Sequence, residues 1–560
     1  MTFAEPEFIK LCGNRKRIKT SRGNEWFWGG AAAGKDFFGK PAQPGYSASD
    51  LSAFRAMLRR KYGSDAALAK AWRIPGLLID SAEMPDHKLR RTGHVGSLFS
   101  PEVNMQIMDW CLFRNQSLAE AIIYFAKRIK AHTDRKWLVG AYYGYLTELS
   151  ESPNRSQLIT GHNGFLDCVK SSNLDFFRAP SRYTYRKTGM PNGVMQTFST
   201  FSLHNKVVFI ENDERTAYGP SEGSANDVYT GRGTTALESV GHINREFGMM
   251  STLGIAHYWM DHPTGSLYEP ALLSVIADQL KVYKSLPPVN GFTPAEVSVV
   301  GDVGSIYYSI DGPDGIFPSA ISGVFKRLNY LSVPFRSMVI ADLLEKDLAP
   351  YCKFYIMLPT LVLGKEEREQ LLQRFDREKA TVVWLYSAGS SYPDRGPKGE
   401  YCGDFLGLKC TMDASKIEET LVTKSGKYAS LFNGAPHFYP EKGYDTVLGS
   451  NESGRPVVVV KKSDGAKHIF SALPDLPKEI IGDLMTQAGV SRYTDSMSDP
   501  LWIGNDLVFL HAAAGGAKKI RIPQNLRMRA IIGPLSGVFE SEQSWNAVAG
   551  LSYGFLVEKK

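Results

Sequence analysis

Lys206-Val-Val-Phe-Ile-Glu-Asn-Asp-Glu-Arg-Thr216 passes from a short β-branched, apolar run into a polar loop at one carboxylate, Glu211. An apolar run without alternation predicts a strand buried on both faces, as in a parallel sheet. Three further runs share this form. Trp137–Tyr143 closes in Tyr142-Tyr143-Gly144-Tyr145, Leu174–Phe177 leads to Ala179-Pro180-Ser181, and Gly254–Trp259 stops at Met260-Asp261. Helical patterns lie between and before them. Ser47 and Asp50 form a capping-box pattern ahead of Leu51, Phe54, Met57 and Leu58, and Gly63 is the C-cap. Pro101 opens a long helix to about His132, with Ile107, Trp110, Ile122 and Phe125 as expected core positions. Thr235-Ala-Leu-Glu238 opens another with a capping box. Alternating βα units of this kind predict a parallel sheet covered by helices, and in a (β/α)8 TIM-type barrel the chemistry sits where the strands end.

Pro287-Pro288 and Gly291 mark a boundary. Beyond it the pattern repeats more compactly. Val297–Val300, Phe335–Ile340, Lys353–Leu358 and Thr381–Tyr386 read as strands, and Ala320–Leu331 and Lys365–Arg377 as helices. Pro456–Lys461 and Lys467–Ala472 form a hairpin turning at Ser463-Asp464-Gly465, followed by a helix from Pro477 to about Gly489. The α/β chain thus divides into a barrel (1–290), an open flavodoxin-like α/β domain (291–490) and a small antiparallel β-domain (491–560).

Composition excludes several classes. The net charge of +7 is spread over 560 residues, and Arg15–Lys19 is too short a basic run for a nucleic-acid footprint. No run of about 18 apolar residues exists, so no membrane span is expected. The six cysteines are scattered and form no CxxC pair, which argues against structural zinc and does not require a disulfide framework. The N-terminal residues lack an apolar signal core, and the compartment, cytoplasmic or periplasmic/secreted, stays open. No cofactor is implied.

Two carboxylates stand out. Glu25 lies in the polar–aromatic stretch Arg22-Gly-Asn-Glu-Trp-Phe-Trp-Gly29, and Glu211 ends its strand. Hydrolysis of a glycosidic bond uses two carboxyl groups, one protonating the leaving oxygen and one attacking the anomeric carbon or activating water. The alternative for Glu211 is a structural ion pair with Arg215 or Arg245.

Phe54-Arg-Ala-Met-Leu-Arg-Arg-Lys-Tyr-Gly-Ser64, followed by Leu68 and Ala71-Trp72, resembles the helix after the acid/base strand in glycoside hydrolase family 42 β-galactosidases, with Met57 in place of the usual Trp. Asn24-Glu25 matches the Asn-Glu pair that the larger clan carries after its fourth barrel strand. The resemblance implies a retaining glycosidase acting on an oligo- or polysaccharide β-glycoside. In it Glu25 is the acid/base, Asn24 contacts the 2-hydroxyl, and Glu211 is the nucleophile on the seventh strand. It also implies a homotrimer formed through the second domain. The Glu-Asn-Asp-Glu-Arg-Thr loop departs from the best-known members and leaves galactose specificity open. Trp259 is expected to stack on the sugar or to sit in the core, and Asp261 to hold a hydroxyl. Tyr143, Tyr145, Arg182 and Tyr183 are candidate cleft residues. His162 is a substrate contact or a solvated loop residue, and Arg215 pairs with Glu211 or with Asp213.

The second domain also resembles class I glutamine amidotransferases, but its elbow, Tyr386-Ser-Ala-Gly-Ser390, has no cysteine. Ser387 would need His437 or His468, both distant in sequence, so an oligomerisation role is expected instead. Only 24 residues precede Glu25, where three βα units need on the order of 100. This predicts a fragment with an incomplete barrel. Its rival function is a non-catalytic carbohydrate-binding or scaffold protein on a decayed or truncated barrel.

Overall fold

The computed structural model describes residues 46–149, 157–158, 160–221, 223–261, 267–286, 295–310, 312, 314–522, 525–540 and 542–560. Asn24, Glu25 and the boundary at Pro287-Pro288 and Gly291 lie outside them.

Four strands, β1 (Gly140–Tyr142), β2 (Phe176–Pro180), β3 (Val207–Asn212) and β4 (Ala256–Trp259), form a parallel sheet in the order 1-2-3-4. Each expected apolar run contributes one strand. The register sets Phe176 beside Val207 and Glu211 beside Tyr258. On β3, Val208, Ile210 and Asn212 are buried, whereas Phe209 and Glu211 on the opposite face are half-buried. Among the described residues this sheet does not close into a barrel.

The helices form for local reasons that the sequence carries. Ser47 and Asp50 complete the capping box of Ala48–Tyr62, and Gly63 ends it at φ 72°. Thr235 caps Ala236–Leu253, and the Glu238 carboxylate accepts from the Thr234 amide and hydroxyl. Pro101–His132 spans its expected length. Phe125 is nevertheless exposed, because the buried line runs through Ala119, Ala126 and Lys130, one helical step away.

The next sheet has nine strands. Its parallel centre holds β5 (Val297–Gly301) between β6 (Phe335–Val339) and β7 (Phe354–Met357), then β8 (Thr381–Leu385) and the strand Lys467–Ser471. The Pro456–Lys462 strand pairs antiparallel with Lys467–Ser471, as the hairpin pattern predicts. The chain ends in antiparallel sheets that include Leu507–His511 and Ser552–Lys559.

Helix Ala236–Leu253 joins the first sheet to this C-terminal region. A Cβ on Gly241 would come within 1.7 Å of the Gly550 carbonyl oxygen, and one on Gly248 within 2.2 Å of the Phe509 ring. Two glycines one heptad apart therefore allow the close approach. The helix is buried along nearly its whole length, including His242, Arg245 and Glu246.

Candidate active site

Glu211 stands near the C-terminal end of β3, on the half-buried face of the sheet. The Tyr142 hydroxyl donates to its Oε2 at 2.7 Å, and the Tyr258 hydroxyl donates to the same oxygen. The two hydroxyls are 2.8 Å apart. Among the described residues no donor reaches Oε1. Burial, then hydrogen bonding to its partner phenol and to Glu211, pushes the Tyr142 phenol well up. Burial and the bond to Glu211 push Tyr258 to about 12. Both phenols therefore remain protonated donors at neutral pH. Arg178, on β2, lies over both rings.

The loop after β3 turns its charges away from Glu211. Asp213 pairs with Arg186 and Arg215, each at 2.6 Å, and accepts from the Tyr183 hydroxyl at 3.0 Å. Arg245 pairs with Glu246 at 2.9 Å. Neither Arg215 nor Arg245 forms an ion pair with Glu211, so the structural-pair alternative finds no support. Glu214 is fully buried, 3.7 Å from the Arg186 Nε and 4.0 Å from the His242 Nδ1. Burial, then the neighbouring Glu246 carboxylate, pushes its carboxyl above the ordinary range, against Arg186 and Arg245.

The other expected residues divide by which way they face. Tyr143 and Tyr145 are buried, not exposed to a cleft. His162 is buried between them, its Nδ1 accepting from the Gly144 and Tyr145 amides, so it is neither solvated nor at an open surface. Arg182 is buried against Tyr185 and Phe325. Trp259 packs with Ile243, Leu267 and Leu272, and Asp261 accepts from the Leu267 amide at 2.8 Å. Tyr142, Tyr258 and Arg178 were not picked out from the sequence. Strand alternation was the available signal, since Tyr258 lies directly beside Glu211 in register.

Just beyond β8 the Ser387 hydroxyl is buried without a partner among the described residues. His437 bonds the Gly434 carbonyl, and His468 contacts Trp384 and Ser463. Neither histidine bonds Ser387. No group of three or more His, Cys, Asp or Glu among the described residues could hold a metal ion, and no described helix is long and apolar enough to cross a membrane.

No family model and no curated protein matches the chain. Solved structures do. The β-galactosidase of the psychrophilic Marinomonas ef1 superposes with a TM-score of 0.63 at 14% identity, over 99% of this chain and 84% of that one. The fold is that of the family 42 β-galactosidases. A catalytic mutant of the family 42 enzyme from G. stearothermophilus gives a TM-score of 0.56 at 12% identity, over 92% of this chain and 76% of the other. A family 42 exo-carrageenase from Bacteroides ovatus gives 0.52 at 10% identity, over 91% and 63%.

The stretch that resembles family 42 in sequence has a structural task. Lys61, Tyr62 and Trp72 all donate to the fully buried Asp109 carboxylate, Tyr62 at 2.6 Å and Trp72 at 2.7 Å. They clamp helices Ala48–Tyr62 and Asp65–Trp72 onto Pro101–His132.

Proposed function

We propose that the chain is a retaining glycoside hydrolase of the β-galactosidase kind, with β1–β4 as strands five to eight of a (β/α)8 barrel. The observation that carries this is Glu211. It stands near the end of a central parallel strand in a family 42 fold, with two phenols on Oε2 and, among the described residues, no donor on Oε1. Oε1 attacks the anomeric carbon while Glu25 protonates the departing oxygen. Glu25 then deprotonates the water that hydrolyses the glycosyl-enzyme. The phenols hold the carboxylate in one rotamer and take up part of its charge as the glycosyl bond breaks. Asn24 would contact the 2-hydroxyl. The same resemblance supports a homotrimer through the second α/β domain.

The reading is tested with 4-nitrophenyl β-galactoside and an intact-mass search for a glycosyl adduct from a 2-fluoro-glycoside. Turnover with retained anomeric configuration is expected, with the adduct on Glu211. Glu211→Gln should lower kcat by about 10³-fold or more. Turnover unchanged by that substitution would overturn the assignment. One observation favours the non-catalytic alternative, namely that the described sheet has four strands and does not close. Sugar binding without turnover in the unaltered chain would decide for it.

A further inference from the structure

Arg178 stands on β2 beside Tyr142 of β1 in register, and on the face that also carries Glu211 and Tyr258. Its guanidinium carbon lies 4.9 Å from the Tyr142 ring centroid and 4.4 Å from that of Tyr258. Among the described residues it forms no ion pair and its side chain donates no hydrogen bond. A half-buried cation without an anion is costly unless other groups stabilise it, and here two aromatic faces do so.

The hydroxyl geometry gives this cation a task. The oxygens of Tyr142 and Tyr258 and Oε2 of Glu211 make a triangle with three contacts. Two phenols carry only two protons, so only two of the three contacts can be hydrogen bonds at once. In one arrangement both phenols donate to Oε2. In the other, one phenol donates to its neighbour and the carboxylate keeps a single donor. A cation against both rings withdraws electron density from both oxygens and strengthens both as donors to an anion. It therefore favours the first arrangement. Its charge also acts to lower the Tyr258 pKa, in the direction this requires.

We propose that Arg178 is a positioning residue, holding Tyr142 and Tyr258 as a pair with both hydroxyls on Oε2 of Glu211, so that Oε1 alone is left to react. This rests on Glu211 being the nucleophile. No substrate contact by Arg178 is required. Its influence passes through the two rings.

The full chain labelled with 13C at tyrosine Cζ tests the geometry without turnover. The Tyr142 and Tyr258 resonances are assigned by their loss in Tyr142→Phe and Tyr258→Phe. Arg178→Met should move both resonances, and Arg178→Lys should keep them near their wild-type positions. Arg178→Gln replaces the Met variant if that chain does not fold. In turnover of 4-nitrophenyl β-galactoside, Arg178→Met should lower kcat about tenfold or more with KM changed less than about threefold, and Lys should recover most of the loss. Unmoved resonances in a folded Arg178→Met chain overturn the proposal, as does an unchanged kcat. Absence of turnover and of a Glu211 adduct in the wild-type chain overturns the glycosidase reading instead, while the tyrosine resonances still decide whether Arg178 holds the pair.

Discussion

At the scale of single residues, the Glu211 carboxylate is defined by the two hydroxyls that share its Oε2. A hydrogen bond to a charged group contributes about 1.5–3 kcal/mol net, and part of this is recovered in the transition state as the carboxylate regains its charge when the glycosyl-enzyme bond breaks. Tyr142→Phe and Tyr258→Phe should therefore each slow deglycosylation and lower kcat about tenfold, since about 1.4 kcal/mol is one decade in rate. Each single variant leaves one phenol on Oε2, so the double variant should fall below the product of the singles. Steady-state kinetics of the three proteins decides this, and strictly multiplicative losses would show that the phenols act independently. The sequence pointed one position away. Tyr143 and Trp259 were expected at the cleft, while their chain neighbours Tyr142 and Tyr258 reach the carboxylate. Aromatic density at a strand end is visible in sequence, but the facing of each ring depends on where the strand begins, and a one-residue error reverses every side chain.

At the scale of elements, the runs that fold as expected are those whose signal is local. The Ser47 capping box, Gly63 and the four apolar strand runs each depend on a few neighbouring residues. Strands Lys409–Asp413, Thr420–Thr423 and Gly426–Ala429 were not anticipated, because they are short, and all but one residue of each of the first two, and every residue of the third, is half-buried or exposed. The Asp109 clamp was also invisible as such. Its donors, Lys61, Tyr62 and Trp72, belong to the family-like stretch, but their acceptor lies 37 or more positions along the chain, and only the fold brings them together. Removing a buried carboxylate that serves three donors strands them in the core. Asp109→Ala should cost about 3–5 kcal/mol, and Asp109→Asn less, because it keeps the shape and one acceptor. Urea unfolding monitored by tryptophan fluorescence measures both. A loss under about 1 kcal/mol for Ala would mean that the helices do not depend on the clamp.

At the scale of the whole molecule, the C-terminal sheets and the first sheet share helix Ala236–Leu253, and the joint is polar as well as close. The His511 Nε2 accepts from the Gly189 amide at 3.0 Å, and its Nδ1 meets the Ser552 hydroxyl, which donates to the Gly241 carbonyl at 2.9 Å. An Nε2 that accepts must carry no proton, so Nδ1–H is the donor and the ring is neutral. Burial, then the Arg245 charge, holds the His511 pKa well below 6.5, and burial with Arg245 and His511 does the same for His242. The unfolded chain binds protons at both rings as the pH falls through about 6.5, whereas the folded chain resists. Stability is then lost on the acid side, by up to about 1.4 kcal/mol per pH unit for each ring. His511→Gln cannot titrate. It should lower Tm at pH 8 by removing part of the joint, yet lose less further stability than the wild type between about pH 7 and pH 5. The two Tm curves should therefore converge towards acid, with a residual slope from His242. Parallel curves would show that His511 takes up its proton equally in both states and that this joint sets no acid limit on the molecule.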